Sequence, residues 1–449
     1  MRQNFSFNRR PVADLRAGNI RNILIGLRRH EATSRHDLCH YSGLTGAGLS
    51  RNIHELLLAG LISEEVETRA RGQMGRRRSL LQINPDGAYV ICITIAANRK
   101  SVAIMNAGCA IISKQDLTAL DISNPVSALG ELASATHDLI DKAKVPRHRI
   151  LGAGVVFGVP DGSISLTAEN VTSPVLGWHN APFTSLLQPK LGMPVRTVSR
   201  AQALLQVEIE SLSFNYTKQT DTPQTHQSQK CLLINCGVGL GCAFQITDQI
   251  TDQITGQITG QITGQITGQI TGQINRGRMA GVPLVHVSHI AIPGDDVLCH
   301  CGRRGCLEQI GSGAGVVRRL LDIGPDEQLD FNHASKHLDV AIAAAAMGDS
   351  AARNAFFNAG KQFARGIDIA GAMLLPDRIL IAGEVGRQSN YIDGIYAGLD
   401  EVNSSLAKSQ LSICDTRSEY ASGIFALNEF LFTDELDLIA LQLSRKEAS

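Results

Sequence analysis

Apolar residues recur at intervals of three and four near the start of the chain, which is the spacing of an amphipathic helix. A first helix is predicted from about Asn19 to Arg29. Ser34 is a suitable N-cap for a short second helix that ends at Gly43. Thr45 caps a third helix that runs from Gly46 to Ala59. Two helices joined by a short glycine-containing turn form a helix-turn-helix.

After the third helix, the pattern changes to short apolar runs. Residues 61–65 and 80–83 flank a Gly-Arg-rich segment, which predicts a strand, a basic loop and a second strand, the form of a wing. Residues 1–83 carry 14 Arg, no Lys and 7 Asp plus Glu, a net charge of +7, whereas the whole chain has a formal net charge of zero. A basic module on an acidic body favours double-stranded DNA as the partner. The alternative is a small helical module that binds another protein.

The third helix is the one expected to enter a major groove of DNA by its N-terminal end. The residues that it turns outward there are Thr45, Ala47, Ser50, Arg51 and His54. In the wing, Arg76, Arg77 and Arg78 are placed to reach phosphates or a minor groove. These residues together are the predicted DNA-binding set.

The rest of the chain alternates between strand and helix patterns. Up to residue 199, the predicted strands are Tyr89 to Ile95, Ser101 to Asn106, Cys109 to Leu117 and Ile150 to Phe157, and the predicted helix is Pro125 to Lys144. Beyond it, elements are predicted at Ala201 to Leu212, Cys231 to Asn235, Gly313 to Ile323, Leu338 to Gly348, Ser350 to Leu375, Arg378 to Gly383 and Ala421 to Phe432, with a loose polar loop at 213–229. Such alternation indicates an α/β fold with a mixed sheet.

A strict tetrapeptide repeat occupies residues 245–275. It reads QITD at 245 and 249 and QITG from 253 to 272, and it ends in Gln273-Ile274-Asn275. A glycine in every fourth position excludes a stable helix. The repeat is therefore predicted to form either an extended β-hairpin arm or a disordered loop, without chemistry of its own.

Three cysteines fall within eight positions in the sequence CHCGRRGCLE. Cys299, Cys301 and Cys306 are spaced C-x-C-x4-C, and His289 lies ten residues before the first of them. One imidazole and three thiolates form the closed tetrahedral ligand set of a structural zinc site, so Zn2+ is the predicted cofactor. The alternative is a set of free or disulfide-bonded thiols. The other seven cysteines lie mostly in apolar runs and are interpreted as reduced core residues.

This cysteine knuckle resembles the signature of the ROK family of bacterial repressors and sugar kinases, in which a Gly-His pair precedes C-x-C-G-x-x-G-C-x-E. Here the pair is Ser288-His289. The segment TSRHDLCHYSGLTGAGLSRNIHELLLAGLI resembles the DNA-binding module of the family's repressors, and GVVFGVP at 154–160 resembles the family's body. The resemblance implies a winged helix-turn-helix followed by a two-lobed ribonuclease-H-like, actin-like ATPase fold.

The resemblance also implies a division of the chain into domains. A winged helix-turn-helix is expected at 1–83, a first lobe at 84–199, and a tail at 433–449. A second lobe at 200–385 is expected to contain the zinc site and the repeat. The segment from about 386 to 432 is expected to pack back on the first lobe.

The residues that a kinase of this family needs are altered in this chain. The run from Thr94 to Asn98 stands at the family's Asp-x-Gly-x-Thr phosphate turn but lacks both the carboxylate and the glycine. Ser199 and Arg200 stand at the Asn-Asp pair, and an arginine cannot accept the proton of a sugar hydroxyl. His286 stands at a sugar-contacting Glu, so only Glu308 of those carboxylates is kept.

The chain is therefore predicted not to be an enzyme. Its predicted effector-binding residues are Glu308, His286, Arg200 and Ser199. The effector is a sugar or, because Arg200 and His286 favour an anion, a sugar phosphate or sugar acid. The alternative is a pocket that binds nothing, with Arg200 in a salt bridge to Glu308.

The resemblance and the basic N-terminal module together indicate a DNA-binding transcriptional regulator, a repressor of carbohydrate-related genes that works as a homodimer or homotetramer. A sugar kinase and a protein-regulated scaffold are the alternatives. The first residues contain no apolar signal-peptide core, and no run of about 18 apolar residues occurs. A cytoplasmic protein without membrane insertion is expected.

Overall fold

The structure is a computed structural model that describes residues 12–30, 32–66, 79–96, 99–158, 170–173, 176–219, 229–247 and 286–447. Within these residues, the strands form three sheets, of three, five and four strands, and one two-stranded ribbon. The three-stranded sheet lies in the N-terminal unit, and the two larger sheets form the body.

The N-terminal unit consists of three helices and a small antiparallel sheet. Its elements are α1 Val12–His30, β1 Ala32–Ser34, α2 Arg35–Ser42, α3 Gly46–Ala59, β2 Ile62–Val66 and β3 Ser79–Ile83. β3 lies between β1 and β2. Two predicted caps are confirmed, because Ser34 accepts a hydrogen bond from the N–H of Asp37 and Thr45 accepts one from the N–H of Gly48.

The first helix is longer than the sequence pattern predicts. α1 begins at Val12 rather than near Asn19. Arg16, on these added turns, forms an ion pair with Glu55 of α3. The start of α1 is thus held by a neighbouring helix, a contact that the spacing of apolar residues does not reveal.

The five-stranded sheet forms the first half of the body. Its region contains β4 Tyr89–Ile95, β5 Lys100–Asn106, β6 Ile111–Asp116, α4 Pro125–Ala143, β7 Ile150–Phe157, β8 Val171–Ser173, β9 Trp178–Ala181, α5 Phe183–Leu191 and β10 Val195–Ser199. The strand order is β10-β7-β4-β5-β6. The predicted meander of β4, β5 and β6 is antiparallel, and β7 pairs in parallel with β4 and β10. Every residue of β4 and β5 is buried, so these strands form the centre of this half.

The four-stranded sheet forms the second half of the body, with order β12-β11-β13-β14. The elements from residue 200 onward are α6 Arg200–Gln219, β11 Gln229–Cys236, β12 Leu240–Thr247, α7 Leu307–Gly311, α8 Gly313–Leu321, α9 Phe331–Ala346, α10 Ser350–Leu374, β13 Arg378–Ala382, α11 Gly383–Gly386, α12 Ser389–Glu401, β14 Leu411–Ile413, α13 Ser418–Phe430 and α14 Leu438–Glu447. β11 is buried along most of its length and pairs with β12 and β13. Parallel pairing of β11 with β13 brings the ends of these strands, and the loops that follow them, to one edge.

Two predictions about loops and helix starts in this half are wrong. The loop expected at 213–229 is helical as far as Gln219, because residues 213–219 contain neither Gly nor Pro and α6 continues through them. α9 begins at Phe331 rather than at Leu338, where Asp330 caps it by accepting a hydrogen bond from the N–H of Asn332. The first three residues of the tetrapeptide repeat end β12. The rest of the repeat lies outside the described residues.

The segment expected at 386–432 to pack on the first half divides between the two halves. β14 pairs with β13, and α12 packs on α10, where Gly394 lies so close to the carbonyl of Phe357 that a Cβ would meet its oxygen at 2.1 Å. Only α13 packs on the five-stranded sheet. There the hydroxyl of Ser422 donates to the carbonyls of Ile93 and Gly154. Gly394 permits the close packing of α12 on α10. α12 therefore belongs to the second half of the body.

The segment expected at 433–449 to be a tail contains a helix that packs on the N-terminal unit. Leu438 and Leu441 of α14 are buried in the same apolar cluster as Leu56 of α3. The side-chain amide of Gln442 donates to the backbone carbonyl of Glu55, 3.2 Å away. The last helix of the chain therefore contacts the third helix, because its leucines are spaced to form one apolar face.

Two buried arginines join the N-terminal unit to the body. Arg28 of α1 donates to Glu210 of α6 at 2.7 Å and to Asn428 of α13 at 2.9 Å. Arg149, which precedes β7, donates to the backbone carbonyl of Ala59 at 2.6 Å. The end of α1 and the end of α3 are thereby fixed to helices and loops of the body.

Candidate functional site

One imidazole and three thiols come together just before α7. They belong to His289, Cys299, Cys301 and Cys306. His289 ends a short 3-10 helix, Val287–His289, and Cys306 is the N-cap of α7. Gly302 and Gly305 adopt φ values of 83° and 69°, which turn the chain back between the last two cysteines. We call these four side chains the knuckle.

The spacing of the donor atoms fits a tetrahedral zinc ion. All four lie within 4.8 Å of one another. The Sγ atoms of Cys301 and Cys306 are 3.7 Å apart, and the Sγ of Cys299 is 3.8 Å from Nδ1 of His289. Zn–S bonds of about 2.3 Å at tetrahedral angles require sulfur atoms about 3.8 Å apart. The knuckle can therefore hold a metal ion, and its soft donors match zinc.

A second histidine of the knuckle sequence, His300, lies beside the carboxylate of Glu308. Nε2 of His300 is 3.9 Å from Oε2 of Glu308, and its Nδ1 is 3.7 Å from the Sγ of Cys299. Glu308 has no exposed surface. His300 was not among the site residues predicted from the sequence. Its position between Cys299 and Cys301 was the signal that could have indicated it. It connects the knuckle to Glu308.

A cavity of about 310 Å³ opens between the two halves of the body, and we call it the basic cleft. Its cationic lining residues are Arg99, Lys114, Arg200, Arg387 and Arg417. They come from the β4–β5 turn, β6, the start of α6 and the segments that follow α11 and β14. Thr94 of β4 and Glu419 also line it. Its volume is at the lower end of the range for small-molecule sites.

The acidic groups near the basic cleft neutralise only some of its cations. Lys114 forms an ion pair with Glu419. Glu384 forms ion pairs with two arginines, with Oε1 2.7 Å from Nε of Arg99 and 3.7 Å from an Nη of Arg200. Among the described residues, the guanidinium of Arg417 has no ion-pair or hydrogen-bond partner. The cleft therefore keeps a positive charge.

Arg200 is the buried member of this set. Its side chain is 11% exposed, and its Nε has no hydrogen-bond partner among the described residues. Burial lowers the pKa of Arg200, and Glu384 offsets that effect while Arg99 and Arg387 add to it. A guanidinium whose pKa is lowered by burial and by like charges lacks enough hydrogen bonds and opposite charge to stabilise its charged form fully.

The structure does not bring the four predicted effector residues together. Arg200 lines the basic cleft, whereas Ser199, Glu308 and His286 do not. The hydroxyl of Ser199 bonds to the side chain of Gln202 at 2.9 Å, and Glu308 lies beside the knuckle. His286 is exposed and precedes the 3-10 helix.

The alternative that Arg200 pairs with Glu308 is wrong. The carboxylate nearest to Arg200 belongs to Glu384. Glu384 follows the buried strand β13, and a sequence reading had no reason to place that residue opposite the start of α6.

The predicted DNA-facing residues of α3 share one exposed side of the helix. Thr45, Ala47, Ser50, Arg51 and His54 are all exposed. On the other side, Leu49, Ile53 and Leu56 are fully buried in the core of the N-terminal unit. Arg76, Arg77 and Arg78 lie outside the described residues.

Three arginines of the basic cleft were not among the residues predicted from the sequence. Arg99 lies in the β4–β5 turn, Arg387 follows α11, and Arg417 precedes α13. None of them has a partner nearby in the sequence that would indicate a site. They come together with Arg200 because α13 packs on β4 and β13 pairs with β11. The one signal available was the arginine at the family's base position.

Comparisons with known proteins place the chain in a family. The sequence model of the ROK family matches residues 90–424. A transcriptional regulator of Mycobacterium tuberculosis is 27% identical to this chain over 37% of this chain. The matched region also spans only 37% of that relative's length. The xylose repressor of Caldicellulosiruptor bescii is 25% identical over 66% of this chain and 64% of its own.

A solved structure shares the fold. It is a ROK family transcriptional regulator described as a homologue of the Escherichia coli MLC protein, with TM-score 0.64 and 19% identity, covering 96% of this chain and all of that one. The body thus has the mixed α/β, sugar-kinase-like and actin-like fold. No helix of the described part of the chain is both long and apolar enough to cross a membrane. The match over residues 90–424 shows that this chain belongs to the ROK family.

Proposed function

We propose that this protein is a DNA-binding transcriptional regulator that represses carbohydrate-related genes and works as a homodimer or homotetramer. The observation that carries the proposal is the surface of α3. Five predicted contact residues are exposed along one side of this helix, while its apolar side is buried. The net charge of +7 on residues 1–83 supports an anionic partner. The names of related proteins, a transcriptional regulator and a xylose repressor, agree with it.

In this proposal the N-terminal unit is a winged helix-turn-helix, and α3 lies in a major groove. Arg51 is one turn into α3, where a guanidinium can donate two hydrogen bonds to a guanine. Arg76, Arg77 and Arg78 contact phosphates or a minor groove. A dimer presents two such helices, so the operator is an inverted repeat whose half-sites are separated by about one helical turn or a multiple of it.

The proposal assigns the knuckle a structural zinc ion held by His289, Cys299, Cys301 and Cys306. The ion would cross-link the loop before α7. It would have no open position for chemistry, because four protein donors complete a tetrahedron. The distances between the donor atoms support this assignment.

The proposal gives the body no kinase activity. Arg200 is buried where a kinase of this family has its proton acceptor, and a guanidinium donates hydrogen bonds only. Incubation of the purified protein with ATP and glucose or N-acetylglucosamine is expected to yield no sugar phosphate. Turnover that disappears in Arg200→Ala would contradict this part of the proposal.

A ligand of the body can influence DNA binding through α6. This helix begins at Arg200 in the basic cleft, and Glu210 farther along it holds Arg28 of α1. A ligand that shifts the start of α6 would therefore move the attachment of the N-terminal unit. A sugar, a sugar phosphate and a sugar acid are the effector classes that the proposal includes.

The test begins with sequencing of the DNA fragments that the purified protein retains. The recovered operator is then titrated by fluorescence anisotropy against a random duplex at several salt concentrations. Arg51→Ala is expected to cost about 1–3 kcal/mol on the operator and less on random DNA, because it removes a base contact. Arg147→Ala, which changes an exposed arginine of the body, is the control and should leave both affinities unchanged. Absence of salt-dependent binding to any DNA would refute the proposal.

A further inference from the structure

The geometry points to a phosphate-binding site in the basic cleft, formed by Arg200, Arg417 and Thr94, for inorganic phosphate or the phosphate group of a small monoester. This inference deepens the effector part of the proposed function and rests on it for any effect on DNA. Binding of the anion itself requires only the body of the protein. The predicted effector set placed Arg200 with Glu308 and His286, whereas this site uses other residues.

Pairing among the described side chains leaves two cations of the cleft available. Arg99 and Arg200 share the one carboxylate of Glu384, with the shorter distance, 2.7 Å, to Arg99. Arg417 has no acidic partner in the described part of the chain, although it lines the same cavity. Two positive charges therefore lack a full counterion. A phosphate monoester carries about two negative charges at neutral pH and matches them.

The hydrogen-bonding groups at the cavity are also incompletely used. Thr94 is 3% exposed, and its hydroxyl has no hydrogen-bond partner among the described residues. The Nε of Arg200 is likewise buried without a partner there. Buried polar groups in proteins are almost always satisfied, by protein, water or ligand. Donors from a hydroxyl and two guanidinium groups suit the oxygens of one phosphate.

The remaining arginine of the cleft is held in place by the backbone. Arg387 donates to the carbonyl oxygens of Cys414 and Thr416, and its Nε is 3.5 Å from Asp415, whose side chain is 87% exposed. Solvent screens that exposed carboxylate, so Arg387 still adds positive potential at the cavity. The bonds to residues 414 and 416 also fix the segment that carries Arg417.

Lysine and carboxylate groups at the edge limit the size of the site. Lys114 and Glu419 form an ion pair that neutralises both. With about 310 Å³ available, the cavity accommodates a phosphate with a small organic group but not a nucleotide triphosphate together with a sugar. The ligand class is therefore a small phosphate rather than ATP.

The test is isothermal titration calorimetry on the full chain, without DNA, in a buffer free of phosphate and sulfate. The probes are inorganic phosphate, glucose 6-phosphate, gluconate and glucose. Phosphate or glucose 6-phosphate is expected to bind, and glucose is not. Tighter binding of the sugar phosphate identifies a monoester as the ligand, whereas equal affinities identify free phosphate. Gluconate that binds more tightly than both phosphates would overturn the assignment.

Two variants and a matched control locate the site. Arg417→Gln, at an exposed position, is expected to weaken phosphate binding at least tenfold, and Thr94→Val several-fold. Arg378→Gln changes an arginine at the other end of β13, outside the cavity, and should bind phosphate as the natural chain does. Phosphate affinity that is the same in Arg417→Gln and the natural chain would overturn the inference.

The pH dependence gives a second readout. A phosphate monoester loses its second charge near pH 6, so affinity should fall as the pH drops from 7 to 5. The natural chain should lose more affinity over this range than Arg417→Gln, which offers one charge fewer. The charged groups that line the cavity with Arg417 are Arg99, Arg200, Arg387 and the Lys114–Glu419 pair, none of which is a histidine. An affinity independent of pH would contradict a phosphate dianion.

The DNA experiment separates this inference from the proposed function. If phosphate binds as described but the protein does not bind DNA, the site is supported and the regulator proposal fails. If the protein binds its operator but neither phosphate probe binds the cleft, the regulator proposal is supported and this inference fails. Operator affinity that changes on adding phosphate, and does not change in Arg417→Gln, supports both.

Discussion

The knuckle and the basic cleft lie in the same body, but the chain builds them in opposite ways. All four donors of the knuckle come from residues 289–306, and its turns are set by local glycines. The basic cleft collects side chains from Thr94 to Glu419, through elements of both sheets. The four donors of the knuckle can complement one another around a metal ion. The cleft has like charges that repel one another.

This difference determines what each region contributes to stability. Metal binding to a structural zinc site is largely folding free energy, since the site does not exist in the unfolded chain. Burial of a charge that is only partly paired costs free energy. The knuckle should therefore stabilise the fold, whereas the cleft should lower stability until an anion binds.

The largest effect is expected at the knuckle. Cys301→Ser should remove the zinc ion and destabilise the protein by more than about 5 kcal/mol, because three remaining ligands hold the metal weakly. Metal analysis and thermal unfolding measure the two effects. Cys39→Ser, at a half-buried cysteine of α2, is the control and should keep one zinc ion per chain. A metal-free natural chain with the same melting temperature would refute a structural zinc site.

The second effect contrasts two positions along α6, Arg200 at its start and Glu210 near its middle. Arg28, bonded to Glu210 and Asn428, is well paired, unlike Arg200. Arg28→Met should destabilise the protein by roughly 3 kcal/mol, because it leaves a largely buried carboxylate without its cation. Urea unfolding measures the loss. The exposed pair of Arg147 and Asp141 supplies the comparison, and Arg147→Met should change stability by less than about 1 kcal/mol.

A smaller effect of opposite sign is expected in the cleft. Arg200→Met should stabilise the protein by about 1 kcal/mol in phosphate-free buffer, because it removes a buried, partly paired charge while Arg99 still pairs with Glu384. Urea unfolding with and without phosphate measures this change. The stabilisation should shrink when phosphate is added, since only the natural chain then gains a ligand. A loss of more than about 2 kcal/mol without phosphate would show that Arg200 is a structural residue.

The smallest effect is expected from the tetrapeptide repeat. Deletion of residues 249–272 should leave zinc content and phosphate affinity unchanged, because the described donors of the knuckle and the described lining of the basic cleft come from other parts of the chain. Loop length alters stability only slowly, by about 0.6 kcal/mol per doubling. Calorimetry, metal analysis and sedimentation of the deletion variant give the three readouts. An insoluble product, or one with a different oligomeric state, would show that the repeat has a structural role.

The sequence was most informative where structure is local. The bounds of α3 and β7 agree with their periodic patterns and caps. The sequence pattern was misleading at the start of α1, where Arg16 pairs with Glu55 of α3, and in the helical residues 213–219. The last helix, α14, was missed because its two buried leucines have meaning only against Leu56 of α3.

The sequence by itself determined the family, the α/β character and which four side chains come together in the knuckle, because each depends on residue types at short, fixed spacings. Only the tertiary structure decided that Arg200 faces Glu384 rather than Glu308, and that Arg417 joins it in one cavity. Those side chains meet because β13 pairs with β11 and α13 packs on β4 and β7. The electrostatics of the cleft depend on distances across these packed elements, which residue spacing along the chain does not specify.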